Sequence, residues 1–166
     1  MLQLWLLFLL ATTGYDLLQR RVPNWLVMSG LAFAILALIT ERHPFGLTWA
    51  PALIASLAAF LFFLIFYLMK VMGAGDVKFA GVLALWVGLM PFALIWAMAS
   101  VLAGLHALLF ILSKRQPLPS LLLKLIHGPA FNDPLKSASS KQIPYAAYLA
   151  LSAIAWLVLF KPLPGS

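Results

Sequence analysis

The chain has 166 residues, 64% of them hydrophobic and only 9% charged, against roughly 25% charged in an average soluble domain. Eleven Lys and Arg face four Asp and Glu; in a chain this apolar, the basic excess reads as loop charge that orients membrane helices and not as a nucleic-acid surface. With no cysteine present, disulfides, thiolate metal sites and cysteine nucleophiles are excluded.

Apolar stretches at about 2–19, 24–40, 49–69, 77–90, 92–113 and 143–160 approach the roughly 20 residues that cross a hydrocarbon core about 30 Å thick. Backbone groups facing lipid must be satisfied internally, so each stretch is a helix. The expected fold is an all-α polytopic membrane bundle of about six transmembrane helices, forming a single integral membrane domain over residues 1–166.

The first stretch, "MLQLWLLFLLATTGYD", lacks the basic start and small-residue cleavage site of a secretory signal and reads as a retained helix. It ends near Asp16, which lies about 6 Å along the axis from Arg20 at 1.5 Å per residue. A carboxylate there faces the negative end of the helix dipole and asks for compensation. "RRVPN" then breaks the chain, because Pro23 disfavours helix at Val22. Glu41, Arg42 and His43 follow the second stretch and read as a solvated turn before Pro44.

"MGAGDVKFAG" separates the third and fourth stretches and places Asp76 at the start of the fourth. As a favoured N-cap residue it would cap that helix, with Gly73 and Gly75 making the turn before it. The two glycines would equally leave room for another backbone to approach the carboxylate. A joint at Gly88 to Pro91 divides the fourth stretch from the fifth, where His106 reads as a helix-to-helix hydrogen bond in preference to a ligand. In the loop that follows, "LPSLLLKLIHG" predicts a short interfacial helix, and Asp133 before Pro134 reads as a solvated turn. The tryptophans and tyrosines fall mostly near segment ends, as an aromatic belt requires.

With the N-terminus outside, the inner loops hold Arg20, Arg21, Lys70, Lys78, Lys114, Arg115, Lys124, Lys136 and Lys141, and the outer side only Arg42 and Lys161. That is the positive-inside pattern, and it puts Asp16 and Asp76 on the same cytoplasmic side. Two carboxylates in a partly dry site do not both ionise readily, so one stays protonated. This is the equipment of aspartyl proteolysis, in which one carboxylate activates water and its protonated partner polarises a carbonyl. The position of Asp76 at a helix N-terminus favours its charge and makes it the expected first base. The rival from another class is a non-enzymatic membrane subunit in which the two acids relay protons or ions.

Three stretches resemble the type IV prepilin peptidases, membrane aspartyl proteases with a Gly-x-Gly-Asp motif. "GAGD", Gly73 to Asp76, followed by Lys78, resembles their second aspartate motif. "DLLQRRVPNWL" resembles the first, with Asp16 followed by Arg21, Val22, Pro23 and Asn24. "KQIPYAAYLA" resembles the segment that opens their last helix, with Lys141, Ile143, Pro144, Tyr145 and Tyr148 as the matching positions.

The resemblance implies Asp16 and Asp76 as the catalytic pair, with Gly73, Gly75, Lys78, Arg21, Pro23, Asn24, Lys141, Pro144 and Tyr145 as supporting motif residues. It also implies a prepilin or pseudopilin protein as substrate, with membrane lipids as surroundings, no nucleic acid, no cofactor and no metal. The location it implies is the bacterial inner membrane, with cleavage of a short basic leader at the cytoplasmic face. Larger members carry an N-terminal segment with two Cys-x-x-Cys pairs, and many of those also methylate the new N-terminus. With zero cysteines, this chain resembles the short branch associated with Flp-type pili and tight-adherence secretion, for which methyl transfer is not expected.

Overall fold

The computed structural model describes residues 1–19, 21–113 and 144–160. All regular structure among them is helical: α1 (Leu2–Gln19), α2 (Asn24–Ile39), α3 (Trp49–Leu68), α4 (Ala74–Val87), α5 (Leu89–Ser113) and α6 (Tyr145–Phe160). Arg20, Lys141, Ile143, Lys161, Asp133, the interfacial segment 118–128 and the other basic residues of the long loop lie outside the described residues.

Among the described residues two helices are long and apolar enough to cross a membrane, Trp49–Leu68 and Leu89–Leu109, with mean hydropathies of 2.4 and 2.0. Only 22% and 17% of their apolar windows are buried, which separates them from the core helices of a soluble protein and supports membrane association. On α3 the inward stripe is Ala52, Ala55, Ala59 and Phe63, while Leu53, Ile54, Leu57, Leu61 and Ile65 are exposed. Small residues inside and large apolar residues outside is the pattern of helices that pack in lipid, where close backbone approach replaces the hydrophobic drive.

The helix bounds follow the apolar stretches except at the fourth and fifth. α4 begins three residues early, at Ala74, and Gly73 is its N-cap with φ −75° and ψ 149°. Asp76 is therefore in the first turn and is not the N-cap residue. The break between α4 and α5 is Gly88 alone, whose φ of +83° suits glycine. Pro91 falls inside the first turn of α5, where its missing N–H breaks no helical bond.

At 14 residues, α4 is about 21 Å long, shorter than a hydrocarbon core. It is the central helix of the bundle, packed against α2, α3, α5 and α6, and every residue from Phe79 to Val87 is buried. Gly81 permits this crowding: a Cβ there would lie 3.4 Å from Phe60 Cβ of α3.

The end of α1 and the starts of α2, α4 and α6 meet at one end of the bundle. At the other end the loop after α2 turns inward. Phe45 sits edge-on to Trp5 at 5.0 Å and tilted on Trp156 at 5.5 Å, and His43 lies 5.7 Å from Trp86. His43 is half-buried and its Nδ1 accepts the Phe45 N–H at 3.4 Å, so it is part of this plug and not of a solvated turn. Trp5, Trp86 and Trp156 are likewise interior; they fill space that the small residues of neighbouring helices leave open. The belt expectation holds for Trp25 and Trp49, which are exposed.

Candidate active site

The buried face of α1 is Trp5, Phe8, Leu9, Thr12, Thr13 and Asp16, spaced three and four apart as one helical stripe demands. Its polar members satisfy themselves first: Thr12 and Thr13 donate to the carbonyls of Phe8 and Leu9 at 2.8 and 2.9 Å. Asp16 ends the stripe with only 3% of its surface exposed.

The compensation that its place near the α1 C-terminus requires comes from another helix. Asp16 Oδ2 accepts the Ala147 N–H at 2.8 Å. Ala147 is the third residue of α6, and the first-turn N–H groups of a helix have no partner within it. Pro144, buried just before the helix, offers no side-chain acceptor; its carbonyl takes the Tyr148 N–H at 3.3 Å. The donors of Ala146 and Ala147 are thus left for groups outside α6, and carboxylates are the favoured partners at that end of a helix.

Asp76 takes the second place. Its carboxylate lies within electrostatic reach of Asp16 and is faced by the Ala146 N–H. The same side chain accepts the Gly73 N–H at 3.3 Å, which is the returning half of a capping box. Asp16 and Asp76, sixty positions apart, therefore converge at the start of one helix. The distinction drawn from helix termini weakens, because both acids now face the positive end of α6.

The two aspartate stretches also touch each other. Gly75 faces the Val22 carbonyl of the "RRVPN" turn, where an added Cβ would make an ordinary contact at 3.4 Å. Lys78 Nζ donates to Asn24 Oδ1 at 3.1 Å on the exposed edge. Pro23 is the N-cap residue of α2, with φ −68° and ψ 143°, and Val22 before it is non-helical as the proline requires. Arg21 is exposed. Gly73 leaves room for the capping bond, since a Cβ there would lie 3.2 Å from Asp76 Oδ2.

His106 forms the expected interhelical bond, to the Tyr148 hydroxyl at 2.6 Å. Among the described residues no three His, Cys, Asp or Glu side chains are grouped to hold a metal. An open apolar groove of about 590 Å³ lies at the far end of the bundle, lined by Phe45, Leu47, Met90, Trp156 and others, away from the aspartates.

A family model described as the type IV leader peptidase family matches residues 2–108. The chain belongs to the type IV leader peptidase family. The matched span contains both aspartate stretches, and membership implies a protease acting on prepilin-type substrates. No curated protein and no solved structure matches the chain. The α6 donors lie beyond the span matched to the leader peptidases, and reading side chains alone misses them because they are backbone groups. Their one signal in the sequence is Pro144 followed by small residues, a helix start without a side-chain cap.

Proposed function

We propose that the chain is a membrane aspartic endopeptidase that removes the leader of Flp-type prepilins and pseudopilins at the cytoplasmic face of the inner membrane. Asp16 and Asp76 are its catalytic pair. The observation that carries this reading is the convergence of the two carboxylates on the first turn of α6 in a member of a leader peptidase family.

In the reaction, one carboxylate takes a proton from water as the water oxygen bonds to the scissile carbonyl carbon, and the protonated partner hydrogen-bonds the carbonyl oxygen. The tetrahedral adduct collapses with breakage of the C–N bond, and the leaving amine takes a proton from the pair. No covalent enzyme intermediate forms. The Ala147 N–H holds the Asp16 carboxylate and the Gly73 N–H that of Asp76, so the geometry of the pair is set before substrate arrives.

All six helices cross the bilayer in this reading, with the N-terminus outside and the nine basic positions of the inner loops at the cytoplasm. Arg21, Pro23 and Asn24 shape the turn beside the dyad, Gly73 admits the capping bond, Gly75 lies against that turn, Pro144 and Tyr145 present the start of α6, and Lys141 supports the site as the family resemblance implies. Lys78 lies where it meets substrate or headgroup charge at the exposed edge.

The test is co-expression with a prepilin from the same genome, reading the product mass for wild type, Asp16→Asn and Asp76→Asn. Loss of processing in both variants, at unchanged membrane levels, is the expected result. Full processing by either variant removes that residue from catalysis; altered proton flux without any shortened substrate would support the relay reading instead.

A further inference from the structure

The Ala147 donor that holds Asp16 is only as well placed as the first turn of α6. That turn is tied to α5 on its other side. The Tyr145 hydroxyl is 3.2 Å from Ser100 Oγ, and either oxygen can donate. Trp96 and Ser100 are four residues apart and so share one face of α5, which puts the indole beside the same hydroxyl. Phe63 of α3 packs on the Tyr145 ring with centroids 6.1 Å apart, and Tyr148, one turn along, bonds His106.

The ring and hydroxyl of Tyr145 therefore fix the residue immediately before Ala146 and Ala147. A hydrogen bond of 2.8 Å weakens steeply when its donor turns away, so a small rotation of the first turn would release Asp16 from its donor.

We propose that Tyr145 and Ser100 are positioning residues for the peptidase reaction, acting through the α6 backbone to hold the Ala147 N–H on Asp16, beside Asp76. The inference rests on the catalytic reading of that pair. It assigns a role to α5, which contributes no acid to the site.

The experiment uses the full chain in lipid vesicles and a prepilin substrate, comparing Tyr145→Phe, Ser100→Ala, Ser100→Thr and the double variant Tyr145→Phe/Ser100→Ala. Loss of one neutral hydrogen bond is expected to lower kcat about tenfold in either of the first two while leaving KM within about twofold. Ser100→Thr keeps the hydroxyl and is expected to keep the rate, and the double variant is expected to be no slower than either single one. Amide exchange at residues 145–148 should quicken in the same variants that lose rate.

A loss confined to KM, multiplying losses in the double variant, or unchanged rates with unchanged exchange would each overturn the proposal. Retained cleavage in Asp16→Asn or Asp76→Asn is a separate result that overturns the catalytic reading itself. Tyr145→Phe keeps the ring against Phe63, and the exchange measurement reports on the first turn independently of turnover.

Discussion

Asp16 and Ala147 meet across 131 positions of sequence through a 2.8 Å bond from backbone N–H to carboxylate. The bond resolves two conflicts together: an acid near the wrong end of α1, and a helix start with no side-chain cap. Ala147→Pro deletes this donor alone. The fold already accepts proline as the third residue of α3 and of α5, at Pro51 and Pro91, so α6 should still form. Cleavage should fall about 10–10²-fold, the range for losing one hydrogen bond to a charged group, with the protein still in the membrane. A rate within a few-fold of wild type would show that this donor is not needed.

Gly75 separates two roles for the glycine beside Asp76. Its missing Cβ points toward Val22, with the nearest atom 3.4 Å away, an ordinary contact. Alanine should therefore be accommodated, with stability unchanged or raised by up to about 1 kcal/mol from helix propensity and with cleavage within about threefold. Valine should push the "RRVPN" turn away and cost both expression and rate. If Gly75→Ala folds normally but does not cleave, the glycine is reserved for the substrate backbone.

Much of this arrangement is legible in the letters because lipid makes the pattern simple. Long apolar stretches give the helices, and two carboxylates beside them stand out as costly. What is hidden has a physical reason in each case. Apolarity places the start of α4 at Val77, yet the helix begins at Ala74 because glycine can serve as N-cap and Asp76 closes the turn behind it. His43 reads as solvated by its neighbours Glu41 and Arg42, but the loop folds in and uses its ring against Trp86. The Ala146 and Ala147 donors carry no letter, since alanine says nothing about its N–H. Tyr145 is visible as a motif position, while its partner Ser100 is one of many small residues in an apolar helix.

Gly30 tests the packing that centres α4. A Cβ there would overlap the Phe8 ring of α1, which is buried and stacks on Phe79 of α4 at 5.6 Å. The Gly30 carbonyl also receives the Trp86 indole N–H at 3.1 Å. Gly30→Ala should lower stability by about 1–3 kcal/mol, the usual cost of overpacking, measured as a shift in the thermal or denaturant midpoint in detergent. Phe8→Leu combined with Gly30→Ala should recover part of the loss, because the clash is with the ring and the smaller side chain makes room. Failure of the pair to recover would place the damage at the Trp86 bond instead.

The Lys78 to Asn24 bond joins the aspartate stretches at their exposed edge, 3.1 Å between Nζ and Oδ1. An exposed contact of this kind is worth little, since water competes for both groups and a long side chain must be held still. A double-mutant cycle with Lys78→Met and Asn24→Ala should give a coupling in stability below about 1 kcal/mol. The kinetic cycle is the more informative half. If Lys78 only steadies the turn beside Asp76, either single change should slow cleavage by the same few-fold and the double variant should be no slower. If its charge meets an acid in the substrate, Lys78→Met should raise KM where Asn24→Ala does not, and neutralising that acid in the prepilin should remove the difference.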